Sequence, residues 1–329
     1  MKILIVGDAF ITKEQFQEKC WRLEELGHEV EVMEWGPSER SDLENIIRNM
    51  EKGNISDDSS LDEIKKHIIG KDALFVDFCP VPASLIRQVK LIGVTRSGLS
   101  NIDLAAARES QVEVIHISGR NAIAVAEFTI GLMFAVSRNI AYAHHAMMNG
   151  HWQKNYAYEP AELEGKRVGL LGFGEIGRTV AKKLFSMGCE VVFYDPYYSG
   201  ISKYASSVTM EDLLRTSDFI SIHVKLADAT KNMISNREFS MMRSSSFFIN
   251  TARAEIVNSE ALVEALQNNL IAGAALDVFL EEPLNENDPL LQLNNVVLTS
   301  HIAGSTPEAL VKSVDLLFDE FISKSEKFT

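Results

Sequence analysis

The fold is decided by the stretch Val168-Gly169-Leu170-Leu171-Gly172-Phe173-Gly174-Glu175-Ile176-Gly177. Its apolar first half predicts a short buried strand, and the glycine-rich second half predicts a turn that opens a helix. Glycines at these spacings allow a tight turn, close approach of the backbone to a pyrophosphate, and close packing of helix on strand. The stretch therefore predicts a dinucleotide-binding site.

An acidic residue follows the next predicted strand. Asp195 comes directly after residues 190–194, where a carboxylate can accept hydrogen bonds from both ribose hydroxyls and repel a 2′-phosphate. This position favours NAD over NADP. The predicted cofactor-binding residues here are Gly172, Phe173, Gly174, Glu175, Ile176, Gly177 and Asp195. Glu175 must point away from the pyrophosphate, because two negative charges repel. Taken alone, the glycines also suit a turn in an α/β protein that binds no nucleotide.

Short apolar segments alternate with helix-like segments along nearly the whole chain. Strands are predicted near 2–7, 29–35, 73–78, 91–95, 112–117, 167–171, 190–194, 218–223, 246–250, 273–278 and 295–300. This alternation is typical of parallel sheets with helices on both faces. A chain of 329 residues suits two such domains with a cleft between them. The predicted fold class is α/β, with two Rossmann-like, doubly wound parallel-sheet domains.

Helix ends are also marked in the sequence. Capping boxes are predicted at Thr12 with Gln15, Ser41 with Glu44, and Ser60 with Glu63. Gly27 and Gly53 are predicted to end the first two helices in a left-handed conformation.

Composition disfavours several classes of protein. The chain has 46 acidic and 32 basic residues, a formal net charge of −14 that repels nucleic acid and anionic lipid. Cys20, Cys79 and Cys189 lack metal-type spacing and suit reduced thiols in the cytoplasm. The apolar stretch Ala122 to Val136 contains Glu127 and is too short to cross a bilayer, and the N-terminus lacks a signal-peptide pattern. We expect a cytoplasmic protein with no metal site, no membrane segment and no nucleic-acid partner.

Polar residues follow the predicted strands of the second half. These residues are His223, Arg253, Asp277, Glu282 and His301. The carboxyl ends of parallel strands meet at one edge of a sheet, which is where ligands bind in this fold class. Hydride transfer to a keto acid needs a cation to hold the carboxylate and polarise the carbonyl, and an acid to protonate the developing alkoxide. Arg253 and His301 fit these roles, and Glu282 can fix the imidazole tautomer.

Each of these residues also has a purely structural interpretation. A histidine at a strand end is often a satisfied structural residue, residues 250–253 can form a surface loop, and residues 281–283 can form a solvated turn. Their joint occurrence after a dinucleotide-binding pattern favours the catalytic interpretation.

Several segments, taken in order, resemble the D-isomer-specific 2-hydroxyacid dehydrogenase family over most of the chain. The matching segments are Arg96-Ser97-Gly98-Leu99-Ser100-Asn101-Ile102-Asp103, Gly119-Arg120-Asn121-Ala122, Val125-Ala126-Glu127, the glycine motif, Asn250-Thr251-Ala252-Arg253, Ala275-Leu276-Asp277-Val278-Phe279, Glu282-Pro283 and His301-Ile302-Ala303-Gly304. The chain looks most like the phosphoglycerate dehydrogenase branch of that family, without a C-terminal regulatory domain.

The resemblance implies an NAD-dependent dehydrogenase acting on a small 2-hydroxy or 2-keto acid. Arg253, Glu282 and His301 would form the catalytic set, and the amides of Ser97, Gly98 and Leu99 would hold the substrate carboxylate together with Arg253. Further cofactor contacts would come from His223, Thr251, Ala252, Asp277, which would hold the nicotinamide carboxamide, and Gly304. It also implies a substrate-binding domain of residues 1–119 and 303–329, an NAD-binding domain of residues 120–302, and a homodimer.

Some positions depart from the family pattern and leave alternatives open. Ala254, Ser300 and Lys225 stand where glycine, proline and proline are common, and residues 77–81, expected to line the substrate pocket, are less typical. Arg96, Arg120 and Lys90 provide either a site for a substrate phosphate, as in a 3-phosphoglycerate-like substrate, or structural ion pairs; glyoxylate or hydroxypyruvate is the unphosphorylated option. The alternative functions are an NAD(H)-sensing binding protein like a transcriptional corepressor, and a relative that oxidises formate or phosphite.

Overall fold

The computed structural model describes residues 1–51, 53–152, 154 and 158–324, with the side chain of Glu51 left out. Residues 52, 153, 155–157 and 325–329 fall within the two predicted domains but lie outside the described residues. The chain forms two compact units, one of Met1–Arg120 with the chain from Thr306 onward, the other of Asn121–Ser305. We call them the smaller and the larger unit.

Secondary structure alternates between strand and helix throughout. The elements up to residue 148 are β1 (Lys2–Gly7), α1 (Lys13–Glu24), β2 (Glu29–Glu34), α2 (Arg40–Glu51), α3 (Asp62–His67), β3 (Ala73–Val76), α4 (Ala83–Ile86), β4 (Leu91–Val94), α5 (Leu104–Glu109), β5 (Glu113–His116), α6 (Ala122–Ser137) and α7 (Ile140–Met148). They are followed by β6 (Arg167–Leu171), α8 (Glu175–Ser186), β7 (Glu190–Tyr194), β8 (Ser206–Ser207), α9 (Met210–Thr216), β9 (Phe219–Ile222), α10 (Asn236–Met241), β10 (Phe247–Asn250), α11 (Ser259–Gln267), β11 (Gly273–Leu276), β12 (Val296–Leu298) and α12 (Pro307–Lys324).

Each unit contains one sheet in which the paired strands are parallel. In the smaller unit the strand order is β2-β1-β3-β4-β5, the order of flavodoxin-like folds. In the larger unit the order is β12-β11-β10-β9-β6-β7-β8. The order reverses between β6 and β9, as in dinucleotide-binding sheets. The predicted α/β class with two Rossmann-like parallel sheets is confirmed.

Both sheets are covered on both faces, which explains their nearly continuous apolar strands. In the smaller unit, β3 and β4 are buried along their whole length, and α12 packs Val314, Leu317, Phe318 and Phe321 into the same apolar cluster as Phe75. Helix α12 therefore buries one apolar stripe against this cluster. In the larger unit, two apolar clusters lie around the strands of the sheet.

The predicted strand positions agree with the structure to within two residues at each end. The short, exposed strand β8, which pairs with β7, was not predicted because its two serines carry no apolar pattern. The capping box at Thr12 is confirmed, and Gly27 and Gly53 have φ angles of 82° and 88°.

Two predicted capping boxes are wrong. Helix α2 already begins at Arg40, so Ser41 lies inside it. Asp58, and not Ser60, provides the cap before the turn that leads into α3, because its side chain accepts a hydrogen bond from the amide of Ser60 at 2.9 Å. A nearby aspartate is as good a cap as serine, so the serine pattern alone did not decide the position.

Within the described residues, no single helix is long and apolar enough to cross a membrane. Helices α6 and α7 together are long and apolar enough for a membrane span, but the pair is bent by 65°.

Candidate functional site

The glycine turn lies where the order of the larger sheet reverses. Gly172 has a φ angle of 96°, and a Cβ atom there would lie 2.6 Å from the carbonyl carbon of His223. A Cβ atom on Gly177 would lie 2.4 Å from the carbonyl oxygen of Gly172. At the exposed Gly174, by contrast, no described atom beyond the neighbouring residues of the chain lies within 4 Å of that position. The first and third glycines are thus required by the fold, whereas the second leaves open space above the turn.

Helix α8 presents its N-terminus to this open space. Gly174 is the N-cap residue and provides no side-chain cap. The amides of the first helical turn have no acceptor within the helix and are oriented to bind an anion. Glu175, at the first helical position, is exposed. The turn therefore has the shape and polarity that a dinucleotide pyrophosphate requires.

Asp195 links the turn to β7. Its Oδ2 accepts a hydrogen bond from the amide of Phe173 at 2.8 Å, and its Oδ1 accepts one from the amide of Tyr197 at 2.9 Å. Each carboxylate oxygen can accept a second hydrogen bond. The ring of Phe173 is buried and stacks on Phe193 with 3.7 Å between ring centroids. The Phe173 amide is thus engaged with Asp195, which retains acceptor capacity for ribose hydroxyls.

His223 lies directly behind the glycine turn. Its amide donates to the carbonyl of Leu171 at 2.6 Å, and its Nε2 is buried with no hydrogen-bond partner among the described residues. Burial lowers the pKa of the imidazole to about 4, so the ring is neutral at pH 7. A buried ring nitrogen without a partner beside an open, polar turn is consistent with a ligand that completes this site.

Arg253, Asp277 and His301, three residues of the predicted site, follow three adjacent strands. The register pairs Asn250 of β10 with Leu276 of β11, and Leu276 with Leu298 of β12. Arg253 and His301 each come three residues after these paired positions, and Asp277 comes one residue after. Neighbouring strands are about 4.8 Å apart, so the three residues lie at the same edge of the sheet.

His301 is paired with Glu282. The Nδ1 atom of the imidazole lies 2.9 Å from Oε2 and 3.1 Å from Oε1 of the carboxylate. Both side chains are partly exposed, at 45% for His301 and 39% for Glu282. Glu282 is held in turn by the amide of Phe279, which donates to its Oε1 at 3.1 Å. Because Nδ1 faces the carboxylate, Nε2 is the ring nitrogen left for a reacting group.

The backbone at His301 adopts a conformation that few residues other than glycine adopt. Its φ angle is 55°, and Asp277 holds the segment in place. The fully buried Asp277 carboxylate accepts hydrogen bonds from the Thr299 hydroxyl at 2.6 Å and from the amides of Ile302 and Ala303 at 3.0 and 2.9 Å. The structure thus places Asp277 as a positioning residue for the segment that carries His301.

Arg253 is exposed on a braced loop. Its Nη1 donates to the carbonyl of Ala252 at 2.7 Å. The Asn250 side chain accepts from the amide of Ala252 and donates to the carbonyl of Arg253, both at 3.0 Å. The Thr251 hydroxyl lies 3.0 Å from that of Thr129, which fixes the loop to α6. The remaining guanidinium donors are available to an anionic ligand.

Gly304, predicted to contact the cofactor, lies close to the side chain of Asn121. A Cβ atom there would lie 2.5 Å from Nδ2 of Asn121. Any larger residue at this position would require the Asn121 side chain at the start of α6 to move.

In the smaller unit, residues 97–99 follow β4 at the carboxyl edge. Ser97 and Gly98 are exposed, and the described residues provide no hydrogen-bond acceptor for the amides of residues 97–99. The residues on either side are fixed: Arg96 Nε donates to the carbonyl of Asp77 at 3.1 Å, and Arg96 Nη2 donates to Oδ1 of Asn101 at 2.7 Å. The loop thus presents three consecutive free amides on a rigid support.

The option of a phosphate site made by Arg96, Arg120 and Lys90 is not supported. Arg96 is buried and Arg120 pairs with the buried Asp77 at 3.2 Å. Lys90 precedes β4, whereas Arg96 follows it, and Lys90 pairs with Asp72 at 3.2 Å. Six residues of extended chain separate them by roughly 20 Å. The sequence pattern did not show that the lysine lies at the opposite end of the strand.

No three His, Cys, Asp or Glu side chains of the described residues come together in an arrangement that holds a metal ion.

Comparison with known proteins assigns the family. A family model for the D-isomer specific 2-hydroxyacid dehydrogenase, NAD binding domain, matches residues 130–303. The chain belongs to the D-isomer-specific 2-hydroxyacid dehydrogenase family. It is an NAD-dependent oxidoreductase, as the glycine motif and the resemblance predicted.

Two relatives and one solved structure illustrate the similarity of this dehydrogenase to known proteins. The glyoxylate reductase of Thermofilum pendens is 37% identical over 271 residues, which cover 78% of this chain and 79% of that protein. The D-3-phosphoglycerate dehydrogenase of Methanocaldococcus jannaschii is 38% identical over 228 residues, or 68% of this chain and 43% of that protein. The NAD-complexed D-isomer specific 2-hydroxyacid dehydrogenase of Lactobacillus delbrueckii ssp. bulgaricus aligns with a TM-score of 0.80 over 99% of this chain and 98% of that chain. Its sequence identity is 22%, so this likeness concerns the fold.

Several supporting residues of the dehydrogenase were not identified from the sequence. Asn250 and Asn121 belong to segments that match the family pattern and Thr299 to a predicted strand, but the sequence assigns no role to any of them. Asparagine at the end of a strand is a known former of local turns, so Asn250 had a detectable signal. Thr299 had none, because its partner Asp277 is 22 residues away in the chain.

Proposed function

We propose that the dehydrogenase interconverts small 2-keto acids and 2-hydroxy acids, with His301 exchanging the proton and Arg253 binding the substrate. The observation that carries this proposal is the pair of His301 Nδ1 and Glu282 Oε2 at 2.9 Å, at the same sheet edge as Arg253. The name of the glyoxylate reductase relative supports a small keto acid as substrate.

His301 acts as the proton donor in reduction. With Nδ1 facing Glu282, a protonated ring donates from Nε2 to the oxygen of the substrate carbonyl as that oxygen gains negative charge. Glu282 stabilises the imidazolium and fixes the ring orientation. In the oxidation direction the neutral ring accepts the hydroxyl proton at the same atom.

Arg253 provides the positive charge that a keto acid requires. Its free guanidinium donors bind the substrate carboxylate and polarise the adjacent carbonyl oxygen. Asn250 and Thr251 keep its loop fixed, so this charge does not have to reorient during the reaction. The free amides of residues 97–99 are proposed as a further contact for the carboxylate.

NADH, when bound, would supply the hydride in reduction, and NAD would accept it in oxidation. The first turn of α8 would bind the pyrophosphate in the open space above Gly174, and Asp195 would bind the ribose hydroxyls. Asp195 also disfavours a 2′-phosphate by charge repulsion, so NADH is preferred over NADPH.

The proposal is tested by following NADH oxidation by the purified chain with glyoxylate, hydroxypyruvate and other 2-keto acids. We expect turnover with NADH and a much lower kcat/KM with NADPH. Arg253→Gln should lower kcat/KM by about 100-fold or more, because removal of one donor to the developing charge has an effect of that size, while NADH binding persists. Arg215→Gln, which removes an exposed arginine paired with Glu211 on α9, is the matched control.

Three outcomes contradict the proposal. NADH binding without turnover of any 2-keto acid, together with NADH-dependent capture of a partner, would favour the corepressor-like alternative. Turnover restricted to formate or phosphite would favour that branch of relatives. Full activity of Arg253→Gln would show that the arginine has another role.

We also propose that the dehydrogenase is a cytoplasmic homodimer. Its three cysteines are free and buried, which suits a reducing compartment.

Helices α6 and α7 expose the apolar residues Ile123, Ile140, Met147 and Met148, a surface suited to a second copy of the chain. Sedimentation velocity should show a dimer that Met148→Asp converts to a monomer, whereas Ile69→Asp, at an equally exposed position in the smaller unit, leaves the dimer intact. A wild-type monomer would contradict the proposal.

A further inference from the structure

The proposed function leaves open which group the substrate carries at C3. The smaller unit contains a pair of aromatic side chains that indicates the chemistry of this group. The fully buried Asp8 follows β1, and its carboxylate accepts hydrogen bonds from the amides of Phe10 at 2.9 Å, Ile11 at 3.2 Å and Phe78 at 2.9 Å. One carboxylate thus connects the segments after β1 and β3. As a result, the rings of Phe10 and Phe78 lie side by side, with 5.2 Å between their centroids.

This aromatic pair continues directly into the loop with the free amides. The guanidinium carbon of Arg96 lies 4.0 Å from the centroid of Phe78. On its other side, Arg96 Nη1 lies 3.4 Å from the position that a Cβ atom would have on Gly98. The aromatic pair, Arg96 and the loop therefore form one continuous surface. Phe10 and Phe78 are only half-buried, so both residues remain partly accessible.

The donors of two arginines near this surface are already used within the protein. Arg96 is buried and donates to the carbonyl of Asp77 and to the side-chain oxygen of Asn101, and Arg120 pairs with the Asp77 carboxylate. Two carboxylates, Asp8 and Asp77, are fully buried beneath the surface. Burial and the charge of Asp77 raise the pKa of Asp8 to about 7, so negative charge is already unfavourable there.

Arg40 is the exposed cation beside the pair. It lies 5.5 Å from the Phe10 centroid and its Nε donates to the carbonyl of Ala9 at 3.0 Å. The adjacent Glu39 and Asp42 are also exposed and add negative charge to this segment.

We propose that Phe10 and Phe78 form the wall against which the C3 substituent of the keto acid packs, and that this substituent is uncharged and apolar. The inference rests on the proposed function, since it concerns the same substrate. It assigns a specificity role to two aromatic residues and excludes a phosphorylated substrate of the phosphoglycerate type.

Binding to the NAD⁺-loaded protein tests the wall without turnover, because NAD⁺ cannot reduce a keto acid. Calorimetry would measure Kd for phenylpyruvate, 4-methyl-2-oxopentanoate, hydroxypyruvate and 3-phosphohydroxypyruvate. We expect the two apolar acids to bind at least about 10-fold more tightly than the phosphorylated acid, the lower end of the discrimination that apolar pockets achieve. Tighter binding of the phosphorylated acid, and its weakening by Arg40→Ala, would overturn the proposal.

Variants of Phe78 test whether the aromatic pair causes the preference for apolar keto acids. Phe78→Ala should weaken phenylpyruvate binding at least about 10-fold more than it weakens binding of glyoxylate, which has no C3 group. Phe78→Leu, which keeps apolar volume if alanine disturbs folding, should give a smaller difference of the same sign. Trp21→Ala, at an exposed aromatic position on α1, is the control. Equal weakening of both ligands by Phe78→Ala would overturn the proposal.

Kinetics with NADH separates this inference from the proposed function. Turnover of glyoxylate together with a preference for 3-phosphohydroxypyruvate would leave the proposed function intact and reject the apolar wall. Selective binding of apolar acids without turnover of any acid would support the wall and reject the proposed reaction.

Discussion

Replacing His301 by alanine should lower kcat for 2-keto acid reduction by about 10²- to 10⁴-fold, the usual contribution of a positioned general acid. The imidazole is the group oriented by Glu282, and alanine leaves no side chain to protonate the alkoxide. NADH binding should persist, because the glycine turn and Asp195 lie on other strands of the sheet. Stopped-flow single-turnover rates together with NADH titrations separate the two effects.

A matched control is available within the same chain. His67 also pairs through Nδ1 with a glutamate, Glu31, but it lies on α3 of the smaller unit. His67→Ala should leave kcat near the wild-type value. If His301→Ala retains full single-turnover activity, the proton is exchanged by another group and the assignment of His301 is wrong.

The sheet architecture was predictable because it depends on local patterns. Buried parallel strands such as Leu91–Val94 are continuous apolar runs, and the turns between strands and helices carry glycines or capping side chains. The glycine turn at Gly172 is a further case: its φ of 96° and its contact with His223 exclude every other residue, so the sequence pattern directly reflects the geometry.

The supports of the site were less predictable because they join residues far apart in the chain. Asp277 fixes the segment from Thr299 to Ala303 through hydrogen bonds that span 22 to 26 residues. His301, with its positive φ, lies inside this clamped segment. A histidine alone gives no sign of a left-handed backbone, so tertiary contacts determined this feature.

The sequence also did not show whether its basic residues bind a ligand or pair within the protein. Arg96, Arg120 and Lys90 are all cationic, yet the two arginines are bound to Asp77 and the lysine lies at the opposite end of β4. The role of an arginine depends on whether a buried acceptor already uses its donors. Such acceptors, here the side chain and carbonyl of Asp77, become visible only in the folded chain.

Alanine at the second and third glycines of the turn should have different effects. Gly177→Ala places a methyl group 2.4 Å from the carbonyl oxygen of Gly172, so the turn must shift. We expect it to lower the free energy of unfolding by about 1–3 kcal/mol, as overpacking does, and to impair NADH binding as well. Thermal denaturation monitored by circular dichroism measures the first effect, and NADH fluorescence titration measures the second.

Gly174→Ala should instead affect cofactor binding almost alone. No described atom beyond the neighbouring residues of the chain lies within 4 Å of the added methyl group, so stability should change by less than about 1 kcal/mol. The methyl group occupies the space in which, under the proposed function, the pyrophosphate approaches the amides of α8. Losing one or two hydrogen bonds to a charged group, at about 1.5–3 kcal/mol each, corresponds to a rise in the Kd for NADH of about 100-fold. Wild-type NADH affinity in Gly174→Ala would mean that the pyrophosphate binds elsewhere, and the proposed role of the first turn of α8 would be wrong.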